Sequence, residues 1–268
     1  MKNVLSIAGS DSCGGAGIQA DLKTFSALGT YGMTVITAVT AQNTTGVFKV
    51  HELDADMVRE QIDCLFADIP ISAVKIGMVS RIEVIKTIAE CLQKNQAANI
   101  VLDPVMISKS GYHLLRPEAK GALFKFLFPI ADTVTPNLFE AEAITGNKIS
   151  NIDEMKKAAI IIHEMGARSV VVKGGHLTGA AIDVVFDGKD FEFLEGKRIL
   201  TNNTHGTGCT FSSAIAAYLA KGSTLREAVR EAKQYLQIAI ENSIKLGNGA
   251  GPTHHFCDLY RKAGLNEI

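Results

Sequence analysis

The sequence predicts an α/β fold: a mainly parallel sheet with helices on both faces and an antiparallel hairpin at one edge. Three observations carry this. Short apolar runs alternate with longer amphipathic stretches along most of the 268 residues, the pattern of βαβα units. The period changes once, between residues 181 and 194, where Ile182, Val184 and Phe186 alternate, Asp187-Gly188 marks a turn, and Phe191 and Phe193 alternate again. No internal repeat, low-complexity linker or composition break interrupts the chain, so a single domain is expected.

In order, residues 4–8 read as the first strand and 16–28 as a helix with Gly29 near its end. Residues 33–40 are β-branched and strand-like. Residues 54–66 read as a helix on which Met57, Ile62, Leu65 and Phe66 share a face. A short strand at 73–76, a helix at 82–93 and a strand at 100–102 follow. Residues 117–128 form a helix with proline near its start, where the missing N–H costs little. Then come a strand at 133–135, a helix at 153–165 ended by Gly166, and a strand at 169–173. After the hairpin, helices are expected at 207–220 and 224–244, the second opening with the capping-box pattern Thr224-x-x-Glu227.

Composition narrows the function. Lys+Arg 27 against Asp+Glu 28 leaves a net charge of -1, without the basic footprint of a nucleic-acid binder. No apolar stretch is long enough for a membrane span. The run at 4–8 stops at a glycine-rich loop and so reads as a strand rather than a signal peptide. The five cysteines, Cys13, Cys64, Cys91, Cys209 and Cys257, are scattered without a CxxC pair, which points to reduced thiols in the cytoplasm and away from zinc.

Ligands of open parallel sheets bind beyond the carboxyl ends of the strands, so the residues that follow each strand matter most. After the first comes Gly9-Ser10-Asp11-Ser12-Cys13-Gly14-Gly15-Ala16-Gly17. Gly9 and Gly14 have P-loop spacing, but Gly15-Ala16 stands where lysine and Ser/Thr belong. Gly15-x-Gly17-x-x-Ala20 fits a dinucleotide fingerprint, yet Thr40-Ala41-Gln42-Asn43 offers no acid to a ribose. A tight turn and a close lid over a small polar substrate both stay open. After the strand at 100–102 comes Asp103-Pro104-Val105-Met106; Asp103 either points into the crevice or caps a turn. Asn137 and Glu140 sit three apart after the next strand, suited either to ordering water around Mg²⁺ or to a charged first helical turn. Lys173-Gly174-Gly175-His176 would suit a phosphate.

The strongest segment is Asn203-Thr204-His205-Gly206-Thr207-Gly208-Cys209-Thr210-Phe211. Two glycines and a threonine precede a long apolar helix whose unpaired N–H groups make a site for an oxyanion or a transferring phosphoryl group. Cys209 lies in that first turn, where the helix dipole is expected to lower its thiol pKa. A glycine-rich helix start with a small buried cysteine is the plainer alternative.

Taken in order, these segments resemble the ribokinase-like superfamily, and within it the hydroxymethylpyrimidine/phosphomethylpyrimidine kinases of thiamine biosynthesis. The resemblance runs from Val4 to about Phe256. It rests on Ala8-Gly9-Ser10-Asp11 through Asp21, Thr37-Ala38-Val39-Thr40-Ala41-Gln42-Asn43-Thr44, Lys75-Ile76-Gly77-Met78, Asp103-Pro104-Val105-Met106, Thr135-Pro136-Asn137, His205-Gly206-Thr207-Gly208-Cys209-Thr210 and the tail Gly249-Ala250-Gly251-Pro252-Thr253-His254-His255-Phe256. It implies a three-layer ribokinase-like fold, ATP and Mg²⁺ as cofactors, and phosphorylation of a pyrimidine alcohol and then of its phosphate. It also implies a cytoplasmic homodimer. By motif match Gln42 should bond the aminopyrimidine, with Gly9, Ala16, Met78 and Val105 lining its pocket. Asn137 and Lys173 should approach the ATP phosphates, Asp183 should lie near the nucleotide, and Glu140 should act on Mg²⁺ through water, with Asp103 beside it as a metal candidate. Gly206, Thr207 and Gly208 should form the anion hole. Ribokinase itself has an aspartate base where this chain has Cys209. That leaves the thiol as base, as orienting group or as filler. The pyridoxal kinase branch shares the Gly-Cys segment; Gln42, which offers both donor and acceptor, favours pyrimidine, with dual specificity open. A non-catalytic vitamin- or nucleotide-sensing module is the competing class, against which Lys173, Glu140 and the anion hole speak.

Overall fold

Burial on both faces explains why the strands read as continuous apolar runs. In a computed structural model describing residues 1–107, 111–175, 177 and 181–265, they form one nine-stranded sheet. The strands are β1 (Asn3–Asp11), β2 (Tyr31–Asn43), β3 (Gly46–Glu52), β4 (Ala73–Ile76), β5 (Ile100–Leu102), β6 (Thr133–Val134), β7 (Val170–Val172), β8 (Ala181–Phe186) and β9 (Phe191–Gly196). Their order is β3-β2-β1-β4-β5-β6-β7-β8-β9. From β2 to β7 all pairs are parallel, whereas β3, β8 and β9 add antiparallel.

Alternation sends neighbouring side chains to opposite layers. Leu5, Val74, Val170 and Val172 enter one core, which α2 (Ala55–Asp68), α3 (Ile82–Lys94), α5 (Leu138–Thr145) and α6 (Ile152–Glu164) cover. Val4, Ala73 and Val171 enter the other, against α1 (Gly17–Ala27), α7 (Thr207–Ala220) and α8 (Leu225–Glu241). The expected helix at 117–128 is composite: a 3₁₀ turn at Pro117–Ala119, one α-turn, α4 (Lys120–Ala122), a π-turn at Leu123–Leu127 and a closing 3₁₀ turn at Phe128–Ile130. A short α9 (Cys257–Lys262) ends the described fold.

Several expectations need correction. The edge hairpin β8–β9 is where the alternation placed it, but a second antiparallel strand, β3, borders the opposite edge. On α2 the buried residues are Val58 and Ile62, while Met57 is 49% exposed; the true stripe runs i, i+4 from Val58 with Leu65 and Phe66 at its border. Helix α8 has the capping box at Thr224 and Glu227 but ends at Glu241.

The chain leaves β1 toward β2 and returns to pair β4 on β1's other side, so the sheet has a topological switch at β1. Two irregularities sit there. The β1–β2 register shifts between Ala8 and Ser10, and the β2–β3 register shifts between Ala41 and Gln42. Such shifts re-aim side chains, and both flank the crevice above the carboxyl ends.

Candidate active site

A cleft of about 820 Å³ opens over the carboxyl ends of β1 and β4 to β7 and the start of α7. It gathers every residue expected at the site. Gly9, Ala16, Gln42, Met78 and Val105 line one part, Asp103, Asn137, Glu140, Lys173 and Asp183 another, and Gly206, Thr207, Gly208 and Cys209 the helix start between them. His176 lies outside the described residues.

The helix start is built by close backbone approach. Gly206 has φ +77, and a Cβ there would lie 1.8 Å from the Gly15 carbonyl oxygen, so the loop after β1 and the start of α7 interlock. A Cβ on Gly208 would lie 3.2 Å from Asp103 Oδ2 and 3.5 Å from Lys173 Nζ. The first-turn amides, with no helical carbonyl to reach, therefore adjoin a buried charge pair. The tail clamps this segment: the His205 N–H donates to Gly251 O at 3.0 Å, and Gly249 and Ala250 donate to Thr44 at the β2–β3 turn. That contact accounts for the tail motif. His255, pushed down to about 3 by burial, lies 3.0 Å from Thr210 Oγ1.

The expected lowering of the Cys209 thiol is overturned. Burial pushes it up to about 11; Lys75 opposes the rise, and Asp21 and Asp103 reinforce it. Desolvation of an ionised sulfur outweighs the helix dipole here. Beneath the thiol, fully buried Lys75 bonds both oxygens of Asp21 at 2.8 and 2.9 Å, and Ser6 and Ser213 donate to the same carboxylate. Burial would lower Lys75, but Asp21 outweighs it and holds the ammonium above its usual range.

At the carboxyl ends of β5 to β7, Lys173 Nζ donates to Asp103 Oδ1 at 2.8 Å, and Thr135 Oγ1 donates to the same oxygen at 3.2 Å. Burial works against the Lys173 charge, yet Asp103 and Glu140 raise its pKa. Asn137 and Glu140 form a capping box on α5: Asn137 Oδ1 accepts from the Glu140 N–H at 2.9 Å, and Glu140 Oε2 accepts from the Asn137 N–H at 2.8 Å. Burial lifts Glu140 to about 7, with Lys173 opposing and Asp103 adding to the rise. Asp183 accepts from the Gly174 N–H at 2.8 Å and pairs with Lys233 at 2.7 Å.

At the other end, Asp11 organises the loop after β1. Its carboxylate accepts from the N–H groups of Cys13, Gly15 and Ala16 and from His205 Nε2 at 2.8 Å. Burial disfavours its charge, but His205 and these amides hold it below the usual carboxylate range. Cys13 Sγ shares this neighbourhood, with Asp11, Cys13 and His205 ligand atoms within 4.8 Å of one another. The carboxylate's bonds are already made and burial raises the thiol, so the trio reads as a loop anchor. Sequence reasoning missed Asp11, His205, Lys75 and Asp21 as partners. Each lay inside a quoted motif, but pairs 194 and 54 residues apart leave no local signal.

The sequence profile of the phosphomethylpyrimidine kinase family matches residues 11–254. A hydroxymethylpyrimidine/phosphomethylpyrimidine kinase of Rhizobium meliloti is 55% identical over 256 residues, 94% of this chain and 96% of its own length. A thiamine biosynthesis bifunctional protein of Geobacter sulfurreducens is 50% identical over 254 residues, 94% of this chain, which spans 52% of that longer protein. Among solved structures, phosphomethylpyrimidine kinase from Clostridium difficile 630 superposes with a TM-score of 0.80 at 53% identity, covering 90% of this chain and 100% of that one. The pyridoxal kinase of Staphylococcus aureus in complex with AMP-PCP and pyridoxal superposes with a TM-score of 0.89 at 41% identity, covering 96% and 94%.

Proposed function

This chain belongs to the phosphomethylpyrimidine kinase family, and we propose that it phosphorylates an aminopyrimidine alcohol and then the resulting monophosphate, using ATP and Mg²⁺, in thiamine biosynthesis. Its fold is ribokinase-like. The observation that carries the reading is the meeting, in one cleft, of the first-turn amides of α7, the Lys173–Asp103 pair and Gln42.

In the first transfer the alcohol oxygen bonds to the γ-phosphorus, the bond to the ADP oxygen breaks, and the alcohol proton passes late to an anionic oxygen of the transferred phosphoryl group and from there to solvent. Lys173 and the amides of Gly208 and Cys209 face the charge on the moving group, which is most of what a protein supplies in such a reaction. The Cys209 thiol, neutral at pH 7, orients the hydroxyl. In the second transfer a phosphate oxygen is the nucleophile and is already anionic. Magnesium fits the donors present: Glu140 and Asp103 bring hard carboxylate oxygens to one cleft, and burial beside Asp103 leaves Glu140 at about 7, a strain that a dication relieves. When bound, the ion neutralises charge on the phosphate oxygens.

A second reading has an observation behind it: a solved relative at 41% identity is a pyridoxal kinase. Release of ADP, measured with the aminopyrimidine alcohol, its monophosphate and pyridoxine, separates the two. Turnover of both pyrimidines is expected; a large preference for pyridoxine would transfer the assignment to the other branch. On the same footing we propose a single-domain, cytoplasmic homodimer. The continuous sheet supports one domain, the free thiols suit a reducing compartment, and exposed Tyr31, Val39 and Phe48 on β2 and β3 offer an apolar face for a second copy.

A further inference from the structure

We propose that His205, held by Asp11, and Thr40 lock the side-chain amide of Gln42 in one of its two orientations, and that this lock makes the site discriminate an aminopyrimidine from its oxo counterpart. The inference rests on the pyrimidine reading above and names what sets its specificity.

Hydrogen-bond valence decides which way the amide is turned. His205 Nε2 lies 2.8 Å from Asp11 Oδ2. Asp11 is ionised, because His205 and three backbone amides hold it below the usual carboxylate range even against burial. A carboxylate only accepts, so His205 Nε2 carries a hydrogen whether the ring is neutral or charged. Gln42 Nε2 is placed 3.3 Å from that same nitrogen, and the two ends of an amide are told apart by their hydrogen bonds rather than by their shape. If that end is the NH₂ group, two donors face each other. The other end, placed as Oε1, is 3.3 Å from Thr40 Oγ1. The single hydroxyl hydrogen of Thr40 goes to Ser10 O in the shorter contact, 2.9 Å against 3.3 Å, so toward Gln42 Thr40 has a lone pair to offer and an Oε1 there would set acceptor against acceptor. Exchanging the two ends removes both mismatches: the carbonyl Oε1 then faces His205 and shares the hydrogen that Nε2 gives to Asp11, and the NH₂ donates to Thr40. The other orientation leaves a donor against a donor and an acceptor against an acceptor.

With the amide so held, Gln42 keeps one N–H and one carbonyl lone pair for the cleft, in fixed order. An aminopyrimidine edge offers a ring-nitrogen acceptor beside an amino donor. In the pyrimidinone, where oxo replaces amino, the order is reversed: a ring N–H donor beside a carbonyl acceptor. A freely turning glutamine reads either edge; a locked one reads only one. His205 and Thr40 are thus positioning residues that act on substrate through Gln42.

The test is the ratio of kcat/KM for the amino alcohol to that for its oxo counterpart, in the full-length protein and in His205→Phe and Thr40→Val. Wild type should prefer the amino substrate on the order of 10³-fold, since a site built for one hydrogen-bond pattern strongly rejects its reverse. Each variant should lower that ratio by at least about tenfold, roughly the worth of one hydrogen bond, with KM for ATP unchanged. If both substrates decline in parallel and the ratio stays at its wild-type value, the residues are merely structural and the proposal fails. Thr40→Val keeps the test open if His205→Phe does not fold. A neutron structure checks the lock without any turnover. Gln42 nitrogen found against His205 sinks it, whereas the locked amide in a protein that phosphorylates only pyridoxine would sink the pyrimidine reading instead.

Discussion

Cys209 shows how one burial effect redirects a mechanism. Its place in the first turn of α7 argues for a lowered pKa, and its surroundings raise it to about 11. At pH 7 a thiol with that pKa is ionised in roughly one molecule in 10⁴. It can donate or orient, but it does not wait as a base. Cys209→Ala should therefore lower kcat on the alcohol by less than about tenfold, where removal of a general base typically costs about 10²–10⁴. Steady-state kinetics with both acceptors decide the matter. A loss beyond 10² confined to the alcohol, with the phosphate acceptor spared, would reinstate the thiolate. The residues that the motifs singled out do share one cleft, because motifs after strands fall at carboxyl ends. What holds them was not legible. Asp11 needs His205, and Lys75 needs Asp21, and neither partner lies on the same element or at a helical spacing.

At the scale of the element, α5 joins a structural duty to a site. Both sequence alternatives for Asn137 and Glu140 bear on one helix start: the capping box is present, and Glu140 also faces the cleft. Burial raises Glu140 to about 7, above its ordinary 4.5. Between those values the folded protein binds more protons than the unfolded chain. Stability from this group therefore falls as pH rises from about 4.5 to 7 and stays low above that. Glu140→Gln keeps an oxygen for the Asn137 N–H and removes the charge. Urea denaturation should find the variant more stable than wild type at pH 8 by about 1–3 kcal/mol and nearly equal at pH 5; equal stability at both would mean that the carboxylate carries no burial penalty. Most elements could be read because two-faced burial writes periodicity into the chain. Strand β3 could not. It lies at an edge, with Phe48 68% exposed, so no core stamped a two-residue period on it. The helical run at 117–130 could be located, but its switch among 3₁₀, α and π turns leaves no mark in the apolar pattern.

Across the whole molecule, one buried ion pair joins elements that are distant in sequence. Asp21 is on α1, Ser6 on β1, Lys75 on β4 and Ser213 on α7, and all four are fully buried. The pair sits where the helical layer of α1 and α7 meets the sheet, under Cys209. Desolvating two charges is costly, and the geometry must offset it: Lys75 reaches both carboxylate oxygens and two hydroxyls complete the shell. Breaking the pair by Lys75→Met leaves Asp21 without its counter-ion and should destabilise the fold by about 3–5 kcal/mol, whereas Lys75→Met with Asp21→Leu should regain much of that loss. The pH dependence follows from the raised Lys75 pKa. Its contribution is complete below the ordinary lysine value of about 10.4 and is lost only as pH rises through the higher folded value. The gap between wild type and the double variant, which lacks both titrating groups, should accordingly be flat from about pH 6 to 9. Denaturation midpoints across that range test both statements. A loss under about 1 kcal/mol would show water or a rearranged partner replacing the lysine, and the layers would then be joined by apolar packing alone.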